Sequence, residues 1–257
     1  MGKRSSSGNG GGSSKRQRCH TVVEPGQYGI YASCSIRKET AGGRELRDIL
    51  SEVLKDEKAA VDEDDGKDGK ELSVEDAVEK ELAEIRKEDS KNGNGLFRGV
   101  PLGVESLLFF QIRKPLIPSE VVTKICDNVK NGEVKGGRYV QRLVPVDMSC
   151  NASEIEIKKL IHKSVKDYMD KHGKEVLKEY NVNLIRRQFD TIERDTFLDI
   201  VKEIIEEETE QECQLRYKGA TTLLHIYCYR NNVGISITSQ ETFDKYSKLN
   251  LQSLNSV

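Results

Sequence analysis

Runs of β-branched and aromatic residues alternate along this chain with stretches of helical periodicity. Residues 138–146 and residues 182–187 are both typical of β-strands. Between them an apolar stripe extends from about Ser153 to Gly173, and it consists of Ile157, Leu160, Ile161, Val165, Tyr168 and Met169. Strand, helix and strand in this order predict a central βαβ unit with parallel strands and a right-handed crossover.

Local signals place the ends of this helix and of an earlier one. Ser153 and Glu156 have the spacing of a capping box, and Gly173 suits the position after the last turn. Pro118 suits the first turn of a preceding helix. The apolar stripe of that helix is Val121, Val122, Ile125 and Val129.

The segments on either side of the central unit also have hydrophobic patterns typical of strands and helices. Residues 30–34 and 106–112 are typical of strands, with a helix at residues 44–55 between them. After the central unit we expect a helix with Phe197, Leu198, Val201, Ile204 and Ile205 buried. Asp190 and Thr191 are the expected N-cap signals of this helix. Three strands then follow at residues 213–217, 221–229 and 233–238.

These patterns predict the fold class α/β (α+β), with four successive regions. Residues 1–19, rich in Gly and Ser, are expected to be a disordered basic tail. Residues 20–112 form an N-terminal subdomain, with an acidic disordered insertion at about residues 55–72. Residues 113–238 form the second domain, and residues 239–257 are expected to be a polar C-terminal tail.

Charge is unevenly distributed, although the formal net charge is only -2. Residues 1–18 have a net charge of +5, and residues 55–90 have a net charge of -8. Residues 130–187 contain thirteen bases and eight acids, whereas residues 188–212 contain two bases and ten acids. One end of the second domain is therefore expected to be basic and another acidic, which suits docking on phosphate at one side.

Two further features bear on location and redox state. Lys3-Arg4 and Lys15-Arg16-Gln17-Arg18 have the spacing of a bipartite nuclear import signal, and the alternative is a solvated basic tail. No window approaches the ~20 apolar residues of a membrane span. The six cysteines form no CxxC pair, so reduced thiols are expected in place of disulfides or a metal site.

The ordered set of motifs resembles the THUMP-domain tRNA acetylation adaptor family. The resemblance covers nearly the whole chain from about residue 20. It is carried by the strand at 138–146, Cys150-Asn151-Ala152, the strand ending in Arg187, the helix entry Ile192-Glu193-Arg194-Asp195, the closing residues 245–252 and, in the front half, Gly29-Ile30-Tyr31-Ala32-Ser33-Cys34. Where relatives often carry Arg-Asn-Asn, this chain has Arg187-Gln188-Phe189.

The resemblance implies both a fold and a function. It implies a ferredoxin-like N-terminal subdomain followed by a THUMP domain with a mixed sheet, which binds tRNA. Such proteins are not catalytic and use no cofactor. They assist a separate RNA cytidine acetyltransferase, which forms N4-acetylcytidine in the D-arm of serine and leucine tRNAs. A nuclear, and particularly nucleolar, location is the matching expectation, with the cytoplasm as the alternative.

Arginine suits such an interface because its planar fork binds phosphate bidentately and stacks on bases. The candidate RNA-binding residues are Arg142, Arg187, Arg186, Arg138, Arg194 and Lys135. Arg142 shares a strand face with Val140 and Val144 in a regular strand, so a structural ion pair is its alternative role. Arg186 and Arg187 are strand neighbours and point to opposite faces, so one of them is expected to be structural.

An enzymatic function has little support in the sequence. No glycine-bearing loop follows a strand in the way that a coenzyme A pyrophosphate site requires, and neither a nucleophile elbow nor HExxH occurs. The alternative that remains open is an RNA-modifying enzyme with intrinsic activity, such as a small tRNA methyltransferase.

Overall fold

The computed structural model describes residues 23–57 and 95–255, which form two β-sheets packed face to face. The predicted basic tail with its import signal, and nearly all of the predicted acidic insertion, lie outside the described residues. The predicted α/β (α+β) class is confirmed.

The first sheet has the connectivity and strand order of a ferredoxin-like fold. In chain order its elements are β1 (Gly29–Cys34), α1 (Glu39–Val53), β2 (Phe97–Val100), β3 (Leu107–Ile112), α2 (Pro118–Lys130) and β4 (Val140–Val146). The strands lie in the order β2-β3-β1-β4, and all pairs are antiparallel. This βαββαβ unit buries α1 and α2 against one face of the sheet.

The second sheet is mixed, as predicted. Its elements are β5 (Met148–Asn151), α3 (Glu154–His172), a 3-10 turn (Lys174–Leu177), β6 (Glu179–Arg187), α4 (Arg194–Thr209), β7 (Gln214–Leu215), β8 (Thr222–Tyr229) and β9 (Asn232–Ser239). The strands lie in the order β5-β9-β8-β6-β7. β6 is parallel to β7 and β8, whereas β9 is antiparallel to β8 and β5. α3 and α4 cover the outer face.

The prediction that residues 138–146 supply the first strand of the central βαβ unit is wrong. β4 pairs with β1 and completes the first sheet, so this sheet extends well past residue 112. The strand that leads into α3 is β5, which is separated from β6 by β9 and β8. Only Asp147 lies between β4 and β5, so one apolar run supplies a strand to each sheet. Periodicity identifies a strand but does not identify its partner.

The prediction of a polar tail at residues 239–257 is also wrong. Two short helices, α5 (Gln240–Lys245) and α6 (Leu251–Leu254), return to the first sheet. The helices and the turn between them bury Phe243, Tyr246, Leu249, Leu251 and Leu254 in the core of that sheet. Three consecutive residues with positive φ, Ser247 to Leu249, separate the helices. That turn interrupts the helical period and hides the apolar pattern in the sequence.

The predicted ends of α3 are confirmed. The Ser153 hydroxyl accepts a hydrogen bond from the Glu156 N–H at 3.4 Å, and Gly173 has a φ of 86°. Pro118 opens α2 as predicted. α4 begins later than predicted, because its N-cap is Glu193 in place of Asp190 or Thr191.

An aromatic layer joins the two sheets. Tyr31 on β1 stacks on Tyr227 of β8, with ring centroids 4.1 Å apart, and the ring of its cross-strand neighbour Phe109 on β3 lies 4.6 Å from it. Gly234 on β9 lies so close to Val146 of β4 that a Cβ atom there would stand 2.5 Å from its Cγ1. The close approach of the two sheets therefore requires glycine at this position.

Gly234→Ala is expected to destabilise the protein by about 1–3 kcal/mol, because the added methyl overpacks the layer between the sheets. Urea denaturation measures the loss. Combination with Val146→Ala should cost less than the sum of the two single changes. Gly43→Ala in α1 is the control, since that position is open and alanine favours a helix. Additive losses of stability for Gly234→Ala and Val146→Ala would contradict the close contact between these two residues.

Candidate nucleic-acid interface

Arg142 lies at an irregularity in the pairing of β4 with β1. The register shifts between Ala32 and Cys34, and the Arg142 N–H donates to the Ser33 hydroxyl at 3.1 Å. The shift breaks the alternation on which the sequence analysis relied: Val140 packs with the helices, whereas Val144 packs between the sheets. The Arg142 side chain is exposed. It has no carboxylate partner among the described residues, so its predicted alternative role as an ion-pair partner finds no support there.

The loop before β4 carries Arg138 and Lys135, and both side chains are exposed. A carboxylate that the sequence analysis did not nominate holds this loop. Glu45 on α1 accepts hydrogen bonds from the backbone N–H groups of Arg138, Tyr139 and Val140, at 2.7, 2.7 and 2.8 Å. The Arg138 guanidinium lies 5.1 Å from the centroid of the Tyr139 ring. Glu45 thus positions the backbone from which the side chain of Arg138 extends.

The neighbours Arg186 and Arg187 have different surroundings. The Arg186 Nη2 donates to the Phe189 carbonyl at 3.2 Å, and its guanidinium lies 5.6 Å from the Phe189 ring centroid. Burial, with a smaller effect of Glu39, raises the pKa of the Cys34 thiol on β1 to about 11, and the charge of Arg187 opposes this rise. Arg186 is therefore engaged with its own loop, whereas Arg187 lies near the end of β1.

Arg194 is the first residue of α4. It is exposed, and its Nη1 lies 3.8 Å from Asp195 Oδ1, which is a weak surface ion pair. The N-cap residue Glu193 makes no side-chain capping bond. The first N–H groups of α4 are thus not capped by Glu193, and a helix N-terminus favours anions.

The predicted separation of charge along the second domain is visible in this sheet. β6 and β8 are parallel, so both finish at the end where Arg187 lies and α4 begins. We call this the arginine end. α4 finishes at the opposite end, which carries Glu206, Glu207, Glu208 and Glu210. There His162 Nδ1 lies 2.9 Å from Glu208 Oε1, and Lys174 Nζ lies 2.7 Å from Glu210 Oε2.

Two of the lysines of α3 border a cleft. Lys159 and Lys163 line a cleft of about 540 Å³ at the junction of β4 and β5, together with Lys114 from the loop before α2. Asp147 also lines the cleft and accepts a hydrogen bond from the Ser119 N–H at 2.8 Å. Burial raises the pKa of Asp147 to about 6. The cleft is thus bordered by three cations, by Glu156, which pairs with Lys159 at 2.9 Å, and by Asp147, whose charge burial disfavours.

The described cysteines and His225 are core residues. All five described cysteines are buried with free thiols, and burial raises the pKa of Cys126, Cys150 and Cys228 to about 12. Burial also lowers the pKa of His225 to about 4, and its Nε2 lies 3.0 Å from the Thr238 hydroxyl. At neutral pH these thiols are protonated and His225 is uncharged.

Neither a cluster of metal ligands nor a helix that could span a membrane occurs among the described residues. No three His, Cys, Asp or Glu side chains within residues 23–57 and 95–255 are grouped as metal ligands would be. None of the helices in the same ranges combines the length and apolar character that crossing a membrane requires.

Comparison with known proteins identifies the family. No protein-family model matches the chain. The chain is 32% identical over 251 residues to the protein named tRNA acetyltransferase TAN1 of Saccharomyces cerevisiae, and the alignment covers 90% of this chain and 86% of that protein. The molecule is thus a two-sheet α/β protein. It belongs to the family of yeast TAN1, and the family resemblance drawn from the sequence is confirmed.

Solved structures with similar folds are much more distant in sequence. PH1313 from Pyrococcus horikoshii is 12% identical, with a TM-score of 0.47 over 82% of this chain and 54% of that one. A 4-thiouridine synthetase, solved as an RNA complex with bound ATP, is 8% identical, with a TM-score of 0.46 over 83% of this chain and 42% of that one. The chain therefore spans about half the length of these two proteins.

Glu45→Gln is expected to lower the free energy of unfolding by roughly 1–3 kcal/mol, because a charged acceptor of three backbone N–H groups is lost. Urea denaturation measures this change. Glu52→Gln on the same helix is the matched control: Glu52 pairs only with the exposed Lys55, so its loss should cost about 0–1 kcal/mol. Equal costs for the two variants would contradict the positioning role of Glu45.

Proposed function

We propose that this protein is a non-catalytic, tRNA-binding adaptor that presents tRNA to a separate RNA cytidine acetyltransferase for N4-acetylcytidine formation. Its kinship with a protein named tRNA acetyltransferase supports a role in tRNA modification. By resemblance, the substrates are serine and leucine tRNAs, modified in the D-arm. The observation that carries the binding role is the placement of Arg142 and Arg187, one from each sheet, near the end of β1.

The placement of these two arginines suits a phosphate backbone. Neither guanidinium has a carboxylate partner among the described residues, so each can bind phosphate without first breaking an ion pair. Because the two sheets pack against each other through the aromatic layer, the backbone positions of the two arginines have a fixed relation to each other. A folded RNA is recognised largely by the shape of its sugar–phosphate backbone, which such a fixed pair can match.

The non-catalytic part of the proposal is supported by the buried thiols and by His225. Thiols with raised pKa values are poor nucleophiles, and an uncharged core histidine cannot reach a substrate. The name of the yeast relative, tRNA acetyltransferase, favours a second candidate in which the chain itself catalyses the acetylation. The two candidates differ in whether the isolated protein turns over substrate.

The combined variant Arg142→Ala/Arg187→Ala is expected to weaken tRNA binding by about tenfold or more and to leave the fold intact. Plots of log affinity against log salt concentration should become shallower by roughly one unit for each lost phosphate contact. Filter binding across a salt series measures both effects.

The matched control for this variant is Lys174→Ala/Arg216→Ala. It removes two charges at the opposite end of the sheet, where each is paired with a glutamate. An unchanged salt slope in the Arg142→Ala/Arg187→Ala variant, or an equal change in the control, would refute the assignment.

The adaptor role predicts no product from the chain alone. Purified protein incubated with tRNA and acetyl-CoA should form no N4-acetylcytidine, as measured by mass spectrometry of digested RNA. Addition of the RNA cytidine acetyltransferase should yield acetylcytidine, and more than the acetyltransferase yields without the adaptor. Product formed by the chain in isolation would establish the catalytic candidate instead.

A further inference from the structure

The turn between β8 and β9 presents an arginine that the periodicity of the sequence does not mark. Arg230 directly follows β8, and Gln188 directly follows the parallel strand β6, so both lie at the arginine end. Both residues have positive φ, 53° for Arg230 and 49° for Gln188. Residues other than glycine adopt this conformation at a cost, and such positions concentrate at binding sites.

Backbone hydrogen bonds hold this turn on both sides. The Arg230 N–H donates to the Arg187 carbonyl at 3.2 Å, which ties the turn to the end of β6. The Ala152 N–H donates to the Asn231 carbonyl at 2.8 Å, which ties it to the segment that leads into α3. Arg230 is therefore a neighbour of Arg187 and projects from a fixed backbone.

The Arg230 guanidinium is oriented by two contacts. Its Nε–H donates to the Gln188 side-chain carbonyl at 3.0 Å. The Cζ atom of Arg230 lies 5.2 Å from the centroid of the Tyr229 ring. These contacts use the Nε and one face of the group, and both Nη groups lack an acceptor among the described residues. An arginine held by its Nε presents the planar pair of Nη donors that a phosphate accepts in bidentate fashion.

We propose that Arg230 binds a phosphate of the tRNA backbone beside Arg187, and that Gln188 is the positioning residue that aims its guanidinium. This inference rests on the proposed function and adds a contact to the same interface. Gln188 contributes no charge; its carbonyl selects the orientation of the Arg230 side chain and reduces the conformational entropy lost on binding.

Arg230→Ala is expected to weaken tRNA binding by about tenfold and to make the salt slope shallower by about one unit. Arg216→Ala is the matched control at the opposite end of the sheet, because its guanidinium is already occupied by Gln214 and Glu179. The Arg216→Ala control should change neither the affinity for tRNA nor the salt slope. Both variants should show unchanged thermal melting to within a few degrees, since alanine at position 230 keeps the same backbone conformation as arginine.

Coupling between the two side chains tests the positioning role. Gln188→Ala should weaken binding by about threefold when Arg230 is present and should have no effect in the Arg230→Ala background. Arg230→Lys should keep the salt slope and recover part of the affinity, because the charge remains but the Nε donor does not. Gln188→Ala should then have no effect in the Arg230→Lys protein. A purely structural contact would instead lower the melting temperature and leave the salt slope unchanged.

The outcomes separate this inference from the proposed function. Loss of binding in Arg142→Ala/Arg187→Ala with none in Arg230→Ala overturns the inference alone. An unmodified chain that fails to bind tRNA at low salt overturns both. Normal tRNA binding by Arg230→Ala, with reduced stimulation of the acetyltransferase, would overturn the phosphate contact in favour of a protein contact.

Discussion

The stack of Tyr31 on Tyr227 is the contact on which the relation between the two sheets depends. It lies in an apolar layer that includes Phe109, Val144 and Val146, and the nearby Gly234 lets the backbones approach. Burial raises the pKa of both tyrosine hydroxyls, so the layer stays uncharged. Since each sheet contributes one of the two best-placed arginines, the geometry of the candidate interface follows from this packing.

The path of the chain reinforces the same arrangement. Residues 140–151 pass from the first sheet to the second with only Asp147 between the two strands, and the last helices return to the first sheet. On β4, the Leu143 N–H donates to the Leu249 carbonyl at 3.0 Å, so the C-terminal segment covers the open edge of that strand. The core of the first sheet is thus built from two separate parts of the chain, whereas all strands of the second sheet come from residues 148–239. The direction of β6 and β8 then separates the arginine end from the glutamate-rich end.

Features set by neighbouring residues were predictable from the sequence, and features set by distant pairing were not. The limits of α3 follow from Ser153 and Gly173, whose effects are local. The placement of β4 depends on its pairing with β1, more than a hundred residues earlier, and alternation alone carries no information about a partner. The capping of the Arg138 loop by Glu45 depends on a similar distance. Strand alternation separates Arg186 from Arg187, but it does not show which of the two contacts the Phe189 loop.

The central claim is that one end of the second sheet, with the adjoining end of β1 and β4, binds tRNA. Hydrogen–deuterium exchange of the full chain, with and without tRNA at low salt, tests it most directly. The account predicts slower exchange at residues 138–142, 187–194 and 230–231, with no change at residues 206–217. Protection confined to residues 206–217, or no protection in the described part of the chain, would contradict it.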